Sequence, residues 1–257
     1  MISGGRLGRL ARQLALGVVL VLAACTPREP ELTVFAAASL RDACVELGQQ
    51  FEARGGERVY FHFAGSTLLA RQILTAPAAD VFLSADERQV DRIEAAGLAL
   101  PGTRRSLCSN RLVVIVAADS LFGPASAEDL AGVERLSLAD PRLAPAGRYA
   151  RTWLEERGVW DQLADRVLLA LDVRAALAAV EAGAAQAGVC YATDAALSGS
   201  VRVAFTVPPE QASDISYAAC ALEDSAGGAR FVEFLASPEA LAVFEQYGFT
   251  SLAGAIR

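Results

Sequence analysis

Few side chains in this 257-residue chain can do covalent chemistry. Lysine is absent and all 23 cations are arginine, which excludes a phosphate-loop lysine and a Schiff-base lysine. His62 is the only histidine, so a histidine-rich metal centre is excluded and a Ser-His-Asp triad would depend on that one ring. Asp80, Asp140 and Asp194 read as caps and turn residues, and no carboxylate pair has a spacing suited to general acid-base work. The chain does repeat one device, a small or hydroxyl residue where an apolar strand gives way to a helix. Ser39 follows Leu32-Thr33-Val34-Phe35-Ala36-Ala37-Ala38, and Ser66 and Thr67 follow Arg58-Val59-Tyr60-Phe61-His62-Phe63-Ala64-Gly65. Such a junction leaves backbone N–H groups without helical partners and carries partial positive charge, so it can hold an anion.

The elements that must position these residues alternate. Strand-like runs at 32–38, 58–63 and 80–84 are each followed by helical spacing, with Ser39 and Asp86 at N-cap positions and Gly97 as a stop. That alternation predicts βαβ units and a parallel sheet. Asn110–Ala117 is a continuous apolar run, read as a buried strand. Leu136–Pro141 ends a strand before Pro145, which fits a first helical turn, and Gly147, which permits close approach to the backbone. Asp172 caps a helix from Arg174 through Glu181, and Ala187–Tyr191 is a strand leading into Ala192-Thr193-Asp194. Strands at 201–207 and 215–222 and helices opening at Gly227-Gly228 and at Ser237-Pro238 complete the chain. In doubly wound sheets, ligands sit beyond the carboxyl ends of the strands, where such junctions collect.

Residues 1–24 hold Arg6, Arg9 and Arg12, an apolar run from Leu14 to Val21 and then Leu22-Ala23-Ala24-Cys25. This pattern reads as an export signal with a small-residue cleavage site, and Leu-Ala-Ala-Cys resembles the lipobox of bacterial lipoproteins. The resemblance implies a lipoprotein signal peptide at 1–24, lipidation of Cys25 and a stiff polar tether over 25–31. Loss of the segment moves the formal charge from −7 to −10, because it carries three arginines and no acid. A chain that acidic does not suit nucleic acid. It must also hold any anion by local dipoles rather than by net charge.

Seven strings in order resemble the periplasmic molybdate-binding proteins of ABC importers. They are Thr-Val-Phe-Ala-Ala-Ala-Ser-Leu at 33–40, Ser-Thr-Leu-Leu-Ala-Arg-Gln-Ile at 66–73, Pro-Ala-Ala-Asp-Val-Phe-Leu-Ser-Ala-Asp at 77–86, Asp-Pro-Arg-Leu-Ala-Pro-Ala-Gly at 140–147, Asp-Val-Arg at 172–174, Tyr191 before Ala-Thr-Asp-Ala, and Tyr-Gly-Phe-Thr at 247–250. The resemblance implies an α/β, two-lobed periplasmic binding protein of type II, each lobe a sheet flanked by helices, with the ligand cleft between lobes. Lobe one is expected at 32–110 plus 213–257 and lobe two at 111–212. The family's ligand contacts fall on Ser39, Ser66, Ala146, Val173 and Tyr191, which would meet the metal only through the oxyanion. The family often carries a run of serines where this chain has Ala64-Gly65-Ser66-Thr67, so either hydroxyl there serves as donor.

The implied function is binding of molybdate or tungstate and delivery to an ABC permease, with no cofactor and no enzymatic activity. The protein is expected as a monomer on the periplasmic or outer side of a membrane, anchored at Cys25. The alternatives are a receptor for sulfate or phosphate and, more remotely, an exported serine hydrolase, which lacks a base and a Gly-x-Ser-x-Gly elbow. Hydroxyls and backbone N–H groups alone would favour an anion with no proton, since hydrogen phosphate needs an acceptor. Sulfate would be refused by size. The resemblance also implies that the segments joining the lobes run side by side, which would bring Cys108 near Cys220, one of three connectivities open to Cys44, Cys108, Cys190 and Cys220.

Overall fold

The computed structural model describes residues 31–252. The export segment, Cys25 and most of the tether lie outside the described residues. Ten strands form two five-stranded sheets, ordered β2-β1-β3-β10-β4 and β7-β6-β8-β5-β9. The first contains β1 (Glu31–Ala37), β2 (Arg58–Ala64), β3 (Val81–Ser84), β4 (Arg105–Ser109) and β10 (Ser216–Ala221). The second contains β5 (Leu112–Ala117), β6 (Leu136–Ala139), β7 (Val167–Ala170), β8 (Ala187–Tyr191) and β9 (Val201–Thr206).

The expectation of a parallel sheet holds for β1 with β2 and β3 and for β6 with β7 and β8. Each sheet nevertheless carries one reversed strand. β10 runs antiparallel to β3 and β4, and β5 runs antiparallel to β8 and β9. The reversal has a topological cause. The chain leaves the first sheet after β4 and enters the second at β5; it leaves the second after β9 and re-enters the first at β10. In both crossings the arriving strand is the reversed one. The crossings bring β4 beside β10 and β5 beside β9, and they seat Asn110 and Arg111 at the passage between the sheets.

Helices α1 (Arg41–Ala53), α2 (Ser66–Thr75), α3 (Glu87–Ala95), α8 (Ala226–Leu235) and α9 (Pro238–Gln246) belong with the first sheet. Helices α4 (Pro145–Glu156), α5 (Trp160–Leu163), α6 (Val173–Glu181) and α7 (Ala192–Ala196) belong with the second. Apolar spacing drives their packing. Leu47 and Phe51 of α1, Leu69 and Ile73 of α2, Trp153 and Leu154 of α4, and Leu177 and Val180 of α6 are all buried. The short α5 has no counterpart in the sequence reading. Cys44, Cys108, Cys190 and Cys220 are buried free thiols. The bridge expected between Cys108 and Cys220 is absent because β4 and β10 pair Cys108 with Tyr217, while Cys220 faces Phe82 of β3.

Candidate oxyanion site

Each sheet sends its strand ends toward a common cleft, and the chain turns there in the smallest residues available. β1 runs into Ala38-Ser39-Leu40, a single 3-10 turn that leads into α1. β2 ends at Ala64, and Gly65 stands at the N-cap of α2 with Ser66 as its first residue. From the second half, Pro145 opens α4, Asp172 caps α6 by accepting from the N–H of Ala175 at 3.0 Å, and β8 ends on Tyr191. Segments 37–39, 64–66, 144–146 and 172–173, together with Ala85 and Tyr191, line a small cavity. Pockets for drug-sized organic molecules are roughly 300–1,000 Å³, and this cavity, at about 10 Å³, is far too small for one.

All five positions expected at the ligand, Ser39, Ser66, Ala146, Val173 and Tyr191, line that cavity. No arginine does, and the one carboxylate in the wall, Asp172, is occupied in capping. Ala146 and Val173 contribute backbone, one at the second and one at the first residue of a helix, where N–H groups lack helical partners. Thr67, the alternative hydroxyl, does not reach the wall.

Neither serine acts as a helix cap, contrary to the expectation for Ser39. Ser66 Oγ instead accepts from the N–H of Ala85 at 3.0 Å, and Ser39 Oγ lies 3.0 Å from Tyr217 Oη. Each hydroxyl thus has one partner within the protein. Tyr191 differs, because its Oη is buried and has no hydrogen-bond partner within the protein. Burial pushes its hydroxyl well above the usual phenol range, so it stays protonated and available as a donor.

Apart from Asp172, the charged groups sit around the cavity rather than in its wall. Arg174 Nε lies 2.5 Å from the fully buried Asp194, and its Nη2 donates to Asp42 Oδ2 at 2.5 Å across the cleft. The desolvation of Asp194 outweighs the attraction of Arg174 and pushes its carboxyl up to about 6. Arg148 of α4 reaches Asp86 at 2.9 Å, also across the cleft. Read from sequence alone, Arg174 could cap the cleft, bridge the lobes or simply be solvated, and Asp194 is a cap or turn residue; no local signal pairs Arg148 with Asp86, 62 positions away. Asp140 accepts from the N–H of Arg142 in a turn, as expected, whereas Asp80 accepts from the N–H of Thr33, 47 positions away, and is not a local cap. His62 lies outside the cavity, stacked at a tilt on Phe35 with ring centroids 5.0 Å apart. Among the described residues no cluster of histidine, cysteine or carboxylate forms a metal site.

The chain matches the bacterial extracellular solute-binding protein family over residues 32–250. It is 36% identical to the molybdate-binding protein ModA of Escherichia coli over 230 residues, covering 86% of this chain and 90% of that protein. It is 31% identical to a putative ABC transporter substrate-binding lipoprotein, YvgL, of Bacillus subtilis, covering 92% and 96%. The structure superposes on the periplasmic molybdate-binding protein of Azotobacter vinelandii with a TM-score of 0.77 at 25% identity, over 86% of this chain and 99% of that one. The sheet order, the cleft and these likenesses together place the chain in the ModA family of bacterial extracellular solute-binding proteins.

Proposed function

We propose that this protein binds molybdate or tungstate in the cavity between its two sheets and delivers it to an ABC permease. One observation carries the reading. Donors from four separate turns and one tyrosine converge on one small cavity whose wall contains no cation. In this reading Ser39, Ser66 and Tyr191 donate through hydroxyls and Ala146 and Val173 through backbone N–H groups. Each charge-assisted bond is about twice as strong as a neutral one, and each helix start adds roughly 0.3–1 kcal/mol. Five such contacts support sub-micromolar affinity, stronger than about −8 kcal/mol, after the cost of ordering the cleft. The two lobes are residues 32–110 plus 213–257 and residues 111–212. Nothing in the site is arranged for covalent chemistry, and the protein acts as a receptor rather than an enzyme.

Calorimetric titration of the full chain in mild detergent with molybdate, tungstate, sulfate and phosphate tests the ligand. One-to-one binding of the first two with silence from the others is expected. Binding of sulfate or phosphate instead would keep the receptor and replace its ligand. We further propose that Cys25 is lipidated and that the protein works as a monomer on the outer face of a membrane. Cys25→Ala should release it from the membrane fraction, and retention of that variant would count against the anchor.

A further inference from the structure

Three buried side chains form a hydrogen-bonded row that ends at the cavity wall, and its direction is set from the far end. Asn110 Oδ1 accepts from the N–H of Arg111 at 2.9 Å, which fixes the orientation of the amide. Its Nδ2 therefore donates to Thr193 Oγ1 at 2.8 Å and to Tyr217 Oη at 3.3 Å. An amide nitrogen has two protons and a phenol one. With its oxygen accepting from Asn110, Tyr217 turns its single proton to Ser39 Oγ, 3.0 Å away. Ser39 Oγ then accepts, and its own proton is left for the cavity. Ser39, Asn110 and Tyr217 are 3%, 6% and 0% exposed, so bulk water does not scramble the row. Burial also pushes the Tyr217 hydroxyl well above the usual phenol range, so the proton stays in place near neutrality.

We propose that Asn110 and Tyr217 are positioning residues that make Ser39 an obligate donor to the bound anion and so select a tetrahedral oxyanion carrying no proton. The proposal rests on the oxyanion-binding reading given above. Ser66 Oγ likewise accepts one internal bond, from the N–H of Ala85, and its own proton is left for the cavity. Two of the three hydroxyls in the wall are therefore committed as donors before any ligand arrives, and only that of Tyr191 is free to turn. Hydrogen phosphate must place its own proton against an acceptor, and this wall leaves it none at Ser39 or Ser66.

The test reverses the row without changing its shape. In Asn110→Asp the carboxylate accepts only, so Tyr217 turns its proton to residue 110, and Ser39 donates to Tyr217 and shows a lone pair to the cavity. The added charge repels every dianion alike, and the informative quantity is therefore the ratio of the dissociation constants of molybdate and hydrogen phosphate. Calorimetry on the full chain at slightly alkaline pH measures the first, and displacement of molybdate by phosphate the second. We expect the ratio to move toward phosphate by about tenfold or more, the equivalent of one hydrogen bond made or broken. Tyr217→Phe breaks the row without adding charge. It should weaken molybdate about two- to tenfold and shift the ratio the same way by less, and it carries the test if circular dichroism shows Asn110→Asp unfolded. An unchanged ratio in the folded variants, whatever the loss in affinity, overturns the proposal and leaves a structural role. A wild-type chain that takes no unprotonated tetrahedral anion overturns the receptor reading itself.

Discussion

Tyr191 meets the cavity on different terms from the two serines, and the difference gives it a separable effect. Its hydroxyl has no partner in the protein, so Tyr191→Phe removes the proposed ligand contact and no internal bond. We expect molybdate affinity to fall by about 1–3 kcal/mol with the melting temperature unchanged or slightly higher, as read by titration and scanning calorimetry. Ser39→Ala should lose a similar affinity and also some stability, because it strands Tyr217. Asp194 gives a prediction in pH. Its carboxyl, ordinarily near 3.8, is raised to about 6 by burial. A carboxyl raised in the folded state holds a proton that the unfolded chain has released, so its contribution is greatest below about pH 4 and is lost as pH rises through about 6. Relative to Asp194→Asn, the wild type should lose stability across that window in urea titrations and track the variant in parallel above about pH 7. A constant difference across the window would show that Arg174 keeps the group ionised. The burial of Asp194 beside Arg174 was not legible beforehand: the two are 20 positions apart, and nothing local distinguishes a buried acid from a turn residue.

Among the elements, what is local could be read and what is distant could not. Asp86, Asp172 and Ser237 cap helices where the spacing placed them, because a cap involves residues two or three positions apart. Ser39 and Ser66 fit the same pattern but bond to Tyr217 and Ala85, 178 and 19 positions away, and so escape it. The reversed strands β5 and β10 were hidden for the same reason, since an apolar run carries no direction. Two glycines show how differently a similar residue serves two elements. A Cβ on Gly147 would lie 1.9 Å from the carbonyl oxygen of Ala139, so this glycine seats α4 on the end of β6 rather than admitting a ligand. A Cβ on Gly65 would lie 2.4 Å from the carbonyl oxygen of Leu143, which belongs to the opposite side of the cleft. The φ and ψ of Gly65, −65° and 132°, suit any residue. We therefore expect Gly147→Ala to destabilise the second half by about 1–3 kcal/mol with or without ligand. Gly65→Ala should leave the melting of the ligand-free protein nearly unchanged while weakening molybdate by about tenfold or more. A Gly65→Ala variant of full affinity would show that the two sides do not need this approach to hold the ion.

At the scale of the molecule, the cleft is held shut by contacts that join the two sheets' territories around the cavity. The N–H of Leu68 donates to the carbonyl of Leu143 at 3.0 Å, and Arg71 donates to the carbonyl of Arg142 at 3.1 Å. Arg174 reaches Asp42 and Arg148 reaches Asp86. Because every one of these requires the halves to be together, their free energy belongs to closure, and closure is what retains the ion. Arg148 is the cleanest probe. Asp86 keeps its bond from the N–H of Arg88 when the arginine is gone, whereas removing Arg174 would leave Asp194 buried beside no cation. The Arg148 side chain is 27% exposed and Asp86 5%, so the pair lies between a surface bridge, at most about 1 kcal/mol, and a buried one. Arg148→Met preserves the apolar stem and removes the charge. In stopped-flow displacement we expect the dissociation rate of molybdate to rise about fivefold with the association rate changed by less than twofold, since a contact formed only on closing acts on escape. Added salt should speed release from the wild type more than from the variant, because it screens a pair that the variant lacks. Equal rates in both proteins would mean that the pair forms without helping to close the cleft, and that the backbone contact between Leu68 and Leu143 and the ion itself are sufficient.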